Sequence, residues 1–424
     1  MPTSPLAIRD FRLYWIARFC AVLATMGMVV IIGYQVYDLA RTDYGMSIRQ
    51  AALMLGLLGA VQFVPLAILT PVAGWTADRF ERRSVARFAN AIDMLVALGL
   101  GWATASDALT LPLLFGLAAM HGVARVFVGP AMTAIAPNIV PPELLPKAIA
   151  LSSIAWQSAS VAGPALGGFL YAADPALPYW FAAGLMAVTM VAITPIRRVV
   201  PPPMEGNPHP VRQMIEGVTY VRRHRFLLGA ITLDLFAVLL GGATAMLPVY
   251  ARDILEVGTE GLGLLRAAPA VGAALVAVVF AVRPLQSNVG VKMLLSVAVF
   301  GLLTMVFGLS KSMPLSLAAL ALLGAADMLS VYVRSSLVQL HTPDMMRGRV
   351  SAVSGLAISA SNELGEFQSG FAAALLGPVG AVVAGGGAAI VIAGLWSQLF
   401  PELRRARTFD PPPEMLPKAA LPET

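Results

Sequence analysis

Apolar segments long enough to cross a bilayer recur twelve times along this chain, and that repetition constrains its architecture more than any other feature. A spanning helix needs about 20 mostly apolar residues, and only helices or closed barrels satisfy their backbone hydrogen bonds inside hydrocarbon. The segments fall near 13–40, 48–77, 84–105, 109–138, 144–172, 178–197, 226–251, 260–283, 290–310, 314–341, 347–376 and 378–399. Several are near 28 residues and are expected to tilt or project beyond the hydrocarbon. Only 12% of residues are charged, about half the ~25% of an ordinary soluble protein. A single cysteine, Cys20, excludes a disulfide scaffold. The expected fold class is an all-α membrane protein of twelve transmembrane helices.

Arg9 and Arg12 precede an apolar run from Leu13 to about Leu39. That run far exceeds the roughly 7–15 residues of a signal-peptide core, so it is expected to stay as the first span. The longest polar stretch, Arg198 to Arg225, contains Pro201-Pro202-Pro203 and Asn207-Pro208-His209-Pro210 and leaves six spans on either side. The expected organisation is therefore a six-helix bundle over 1–197, a central loop over 198–225, a second six-helix bundle over 226–400 and a tail over 401–424.

Orientation follows from the lysines and arginines of the loops. Arg41, Arg49, Arg252 and Lys311 fall on one side, and Arg18, Arg125, Arg266 and Arg334 lie within spans; the other 21 of 29 basic residues lie on the side of the termini. Both termini are thus expected to be cytoplasmic, in a bacterial-type inner membrane. The halves look related. A shift of 201 residues lays Pro142-Glu143-Leu144-Leu145 on Pro343-Asp344-Met345-Met346, and pairs Ser153 with Ser354, Ser158 with Ser359 and Ser160 with Ser361. Parallel repeats about an axis along the membrane normal are a known transporter plan.

After span 2 comes Gly74-Trp75-Thr76-Ala77-Asp78-Arg79-Phe80-Glu81-Arg82-Arg83. A helix C-terminus carries partial negative charge, so Asp78 needs a positive partner. Arg347-Gly348-Arg349, at the start of span 11, is expected to supply one. The segment resembles the inner-loop signature of the major facilitator superfamily, with Glu81 in place of its second glycine. Phe11-Arg12-Leu13-Tyr14-Trp15, Gly348-Arg349-Val350-Ser351-Ala352 and Ser361-Asn362-Glu363-Leu364-Gly365-Glu366 resemble the enterobactin-exporter branch of that superfamily, although Gly27 is followed by Met28 where the branch commonly has an acidic residue. In span 5, Gly163-Pro164-Ala165-Leu166-Gly167-Gly168 is similar to the antiporter signature of drug-exporting members. Small residues at this spacing let helices approach closely. The gate is expected to comprise Gly74, Asp78, Arg79, Arg82, Arg83 and Arg349, with Gly163, Pro164 and Gly167.

The resemblance implies two pseudo-symmetric bundles whose spans 1, 4, 7 and 10 line a central cavity. An ionisable group inside a span costs about 2.5–3.5 kcal/mol on insertion scales and therefore faces a cavity or a partner. Those four spans carry Arg18, His121, Arg125, Asp234, Asp327 and Arg334, which with Tyr34 are the expected substrate-binding residues. Arg125 and Asp327 lie in matching spans of the two halves, one residue off the 201-residue shift, and are expected to face each other across the cavity. Glu363 and Glu366, about halfway along span 11 and three residues apart, share one helix face and are expected to carry the coupling proton. Asp93 and Arg266 are expected to be structural. Tyr34 and Tyr37 suit an outer vestibule or an interface belt equally. Trp15, Trp102, Trp180 and Trp396 read as interfacial anchors.

The chain has no phosphate-binding Gly-x-x-x-x-Gly-Lys-Ser/Thr loop, and its four histidines have no ligand spacing. No cofactor or metal is expected, and the chain is not expected to be an enzyme. The expected function is proton-coupled export of a siderophore-like, amphipathic or drug-like small molecule. The alternatives are uptake, lipid-like flipping, or a non-transporting sensor on the same scaffold. The expected partners are the small-molecule substrate, protons and the lipid bilayer, without nucleic acid, and the chain is expected to act as a monomer.

Overall fold

The computed structural model describes residues 4–199, 210–283, 285 and 287–409, apart from the side chains of residues 77, 78, 210, 211, 213, 281, 344, 345 and 347. The first six spans are helices α1 (Arg9–Thr42), α2 (Ile48–Arg79), α3 (Arg82–Ala105), α4 (Leu111–Ile139), α5 (Leu145–Ala173) and α6 (Leu177–Ile193). A helix α7 (Pro210–Arg223) follows. The last six spans are α8 (Arg225–Ile254), α9 (Gly258–Val282), α10 (Val289–Leu309), α11 (Met313–Leu340), α12 (Asp344–Leu376) and α13 (Pro378–Leu399), trailed by a short α14 (Pro401–Arg405). All twelve expected spans are present as helices. Among the described residues, nine are long and apolar enough to cross a membrane on that ground alone.

Local chemistry sets the ends of these helices. Ser47 and Gln50 form a reciprocal capping box at the start of α2: Ser47 Oγ accepts from the Gln50 N–H at 3.3 Å, and Gln50 Oε1 accepts from the Ser47 N–H at 2.9 Å. Gly377 separates α12 from α13 with φ of +79°, which a residue without Cβ adopts freely, and Pro378 then opens α13 at its first position. The central segment departs from the expected loop. Residues 210–223 wind into α7, whose Gly217 lies against the backbone of Arg349 at the start of α12. The seventh span is also less regular than expected. It is helical to Gly241, breaks at Gly242, and continues through a 3₁₀ turn (Ala243–Met246) to a π turn (Tyr250–Ile254). Ser369 of α12 donates to the freed Gly242 carbonyl at 3.1 Å.

In the first half α1 packs on α5 and α6, and α3 and α4 pack on each other and on α6 and α2 respectively. The second half repeats this plan, with α10 between α11 and α13, and α8 against α12 and α13. The halves meet along two seams, α2 with α12 and α5 with α9. Both are backbone-tight. A Cβ on Gly56 would lie 2.9 Å from Gly370 Cα, and one on Gly263 would lie 2.8 Å from the Pro164 carbonyl oxygen. Closeness of this kind is how helices gain dispersion contacts where lipid removes the hydrophobic incentive. The α2–α12 seam is tight from Gly56·Gly370 to Gly59·Glu363. Toward the end where α1 begins and α13 finishes, Gly74, Gly348 and Gly355 meet nothing within 4 Å. The halves therefore touch at the far face and part toward the terminal face.

Candidate functional site

Where the seams part, a cavity of about 370 Å³ lies between the halves, midway along the helices. Its polar lining is Gln62 from α2, Arg125 from α4, Thr244 from α8, Arg266 from α9, and Ser359, Asn362, Glu363 and Glu366 from α12. Arg125 Nη1 donates to Gln62 Oε1 at 3.1 Å and to Glu363 Oε1 at 3.3 Å, so its guanidinium bridges the two halves. Arg266 Nη2 stands 3.9 Å from Glu366 Oε1, an ion pair without a hydrogen bond. Its Nη1 donates instead to the Thr244 carbonyl at 3.2 Å, a group in the 3₁₀ turn after the break in α8. With both glutamates ionised, these four side chains are neutral as a set. Each proton taken by a glutamate would leave one uncompensated guanidinium, so the charge the cavity presents follows its protonation.

Several expected cavity residues lie elsewhere. Asp327 does not face Arg125. It lines a separate small pocket inside the second half with Asp234, while Asp234 is closed in an ion pair with the buried Arg334. His121 turns away from the cavity into the first half, fully buried, with Nδ1 2.6 Å from Asp93 Oδ1. Arg18 donates to the Tyr14 hydroxyl at 3.3 Å, and Tyr34 packs edge-on to Tyr171 at 5.5 Å between ring centres; neither lines the cavity. Arg266, read from the sequence as structural, does line it.

The gate residues form two groups. Arg82 donates to the Ala134 carbonyl at 3.0 Å, and Arg83 donates to the Thr194 and Ile196 carbonyls and pairs with Glu81 at 2.8 Å. These arginines fasten the terminal ends of α4 and α6, and Glu81 supplies a counter-charge where the family signature has glycine. Arg79 lies over Trp75 at 5.4 Å. Arg349 pairs with Glu216 of α7 at 2.8 Å. The Asp78 side chain lies outside the described residues. Gly163 and Gly167 pack against Gly27 of α1, while the neighbouring Pro164 carbonyl and Gly168 face α9. The Gly163–Gly168 motif thus touches both halves.

At the far face, Arg41 pairs with Asp253 at 3.3 Å and Asp38 with Arg252 at 2.5 Å, while the Tyr37 hydroxyl donates to Asp253 at 2.5 Å. Asp38 and Arg41 end α1, and Arg252 and Asp253 sit on the π turn of α8. Two reciprocal ion pairs therefore seal the far face above the cavity.

The model of the Major Facilitator Superfamily matches residues 15–366. The chain belongs to this superfamily. It is a transporter and an integral membrane protein, not an enzyme. Among curated proteins it is similar to the Enterobactin exporter EntS of Escherichia coli (strain SMS-3-5 / SECEC), 26% identical over 96% of this chain and 94% of that one. Among solved structures it is similar to a mutant peptide transporter POT in complex with sulfate, with a TM-score of 0.74 at 14% identity, covering 95% of this chain and 96% of that one. It is also similar to a bacterial homolog of the human lysosomal transporter Spinster, in an inward-facing and occupied conformation, with a TM-score of 0.70 at 15% identity, covering 96% and 100%.

The candidate-site residues that sequence reasoning did not assign in this major facilitator include Gln62 and Arg266 in the cavity and Asp38, Arg41, Arg252 and Asp253 at the far face. Arg266 carried a visible signal as a charge inside an apolar run. The far-face four carried a subtler one, two opposite-charge pairs at the outer ends of spans 1 and 7.

Proposed function

We propose that this transporter exports a siderophore-like, amphipathic or drug-like anion in exchange for protons by alternating access. The bundles of 1–197 and 226–400 would be the rocking bodies, and the membrane a bacterial inner membrane with both termini cytoplasmic, as the lysine and arginine distribution favours. In that orientation the cavity opens inward. The observation that carries the reading is the Arg125–Glu363 contact across the halves at 3.3 Å, with Arg266 and Glu366 beside it. A substrate anion entering from inside competes with the glutamates for the guanidiniums. Protons entering from outside neutralise the glutamates and are released inside after the substrate has left. In this cycle the glutamates carry the protons and the arginines hold the substrate, at different stages. The similarity to an enterobactin exporter supports export and a siderophore-like cargo. One copy of the chain contains the whole cavity, consistent with a monomeric unit.

The test is uptake into inside-out vesicles, or transport in proteoliposomes, with an imposed pH gradient. The panel contains anionic catecholate siderophores, neutral hydroxamate siderophores and cationic dyes. Gradient-driven movement of the anions that collapses with an uncoupler is expected. Flux indifferent to the gradient, or binding without flux, would overturn the reading.

A further inference from the structure

The second half holds a group of charges that the central cavity does not use. Asp234 of α8 is 5% exposed and its carboxylate is bound to Arg334 of α11, itself 3% exposed. Asp327, two helical turns before Arg334 on α11, lines a pocket together with Asp234. No hydrogen bond or ion pair reaches Asp327 among the described residues. The three groups leave one negative charge uncompensated inside a helical bundle in a membrane, where an isolated charge is strongly disfavoured.

Two further observations indicate what compensates it. Ser330, one turn after Asp327, is 2% exposed; its hydroxyl has no hydrogen-bond partner and lines the same pocket. The pocket has a volume of about 10 Å³, enough for one water-sized guest. Two carboxylates and a hydroxyl converging on so small a space suit a hard, small cation. The remaining lining is Ser296 of α10 and apolar side chains of α8, α10 and α11. Arg266 of α9, Lys292 of α10 and Glu363 and Glu366 of α12 lie outside it, so Asp234 and Arg334 are the charges that act on Asp327.

We propose that Asp327, Asp234 and Ser330 form a monovalent-cation site in the second half, separate from the central cavity, which takes one sodium ion or one proton. The site lies between α8, α10 and α11. Its occupancy would set how firmly α8 is held below its break at Gly242.

The experiment uses the full chain purified in nanodiscs, without substrate, so that its outcome is independent of the export reading. Binding of ²²Na⁺ is measured alongside thermal unfolding in NaCl against choline chloride at equal ionic strength. Carboxyl protonation is followed by infrared difference spectroscopy between low and high pH. For a sodium site, saturable binding and stabilisation by Na⁺ are expected, abolished by Asp327→Asn and weakened about tenfold by Ser330→Ala. For a proton site, Na⁺ has no effect, and a titrating carboxylic-acid band is lost in Asp327→Asn and shifted in Ser330→Ala. Glu363→Gln removes only its own carboxyl band and should leave the Asp327-dependent signal in place. Should Asp327→Asn fail to fold, the Ser330→Ala readings decide alone. Absence of both signals from the wild-type protein, or signals unchanged by the foldable variants, would overturn the proposal.

Discussion

Arg125 and Glu363 lie 238 positions apart and meet at 3.3 Å across the boundary between the two halves. Their contact exists only while the halves are apposed at this level, and it is broken chemically by a proton on the carboxylate or by a competing anion on the guanidinium. A single pair is therefore open to disruption by a proton, by an anion or by separation of the halves. Arg125 keeps 32% of its side-chain surface exposed to the cavity and Glu363 13%. The pair is thus partly solvated and exchangeable, unlike the sealed Asp234–Arg334 pair, where removing one partner strands a buried charge.

The first prediction follows from that exchangeability. Glu363→Gln mimics the protonated side chain and frees Arg125. The variant should bind an anionic substrate at least as tightly as wild type and carry out substrate–substrate exchange. It should lose at least tenfold in efflux driven by a pH gradient. Wild-type gradient-driven rates in proteoliposomes would remove Glu363 as the sole carrier and direct attention to Glu366.

The spans and the polar stretch between the halves were legible because bilayer thickness imposes a length that any twenty-residue window reveals. Arg125, Glu363 and Glu366 were legible singly, as charges inside apolar runs. Their partners were not. The 201-residue repeat pointed Arg125 toward Asp327, but mates related by an internal two-fold axis touch only when they sit on that axis. Asp327 instead lies inside its own bundle near Arg334, and α12 supplies the group that meets Arg125. His121 shows the same limit. It lies on a span expected to line the cavity, yet α3 places Asp93 2.6 Å from its ring. Residues 210–223 read as loop because of their flanking prolines, whereas α7 gains its helix by docking on the start of α12.

The far-face seal gives a second prediction. Partly exposed ion pairs contribute about 0.2–1 kcal/mol each, so Asp253→Asn, which removes the charge facing Arg41 while keeping an amide oxygen for Tyr37, should raise the outward-open to inward-open ratio by up to about fivefold. Labelling of a cysteine placed at Tyr34 by a membrane-impermeant thiol reagent should speed up accordingly. The double exchange Asp38→Arg with Arg252→Asp should restore the wild-type rate, and failure to do so would show that the pairs do not act as a latch.

The Gly56·Gly370 contact provides a third. A Cβ on Gly370 would press on the backbone of Gly56, and overpacking of a tight contact costs about 1–3 kcal/mol. Gly370→Val should push α2 and α12 apart at the far face and disfavour the conformation described above. Transport should fall, with more rapid labelling from outside and expression near wild type. Gly74→Val, at a position with open space in this conformation, should not raise outside labelling.

The last prediction concerns Asp78 and the terminal face. Here Arg349 is engaged by Glu216 of α7 at 2.8 Å, while the halves are parted at this end. When they close, the end of α2 and the start of α12 come together, and Asp78 at a helix C-terminus finds positive charge and a helix N-terminus in one place. Arg349 then exchanges one carboxylate for another. Asp78→Asn should weaken only the closed form, shifting the population inward-open, lowering transport several-fold and sparing expression. Glu216→Gln removes the competitor in the open form and should shift the population the opposite way. Accessibility of a cysteine introduced at Ser359, in the cavity lining, reads both shifts from the inside, and equal labelling in the two variants would refute the exchange.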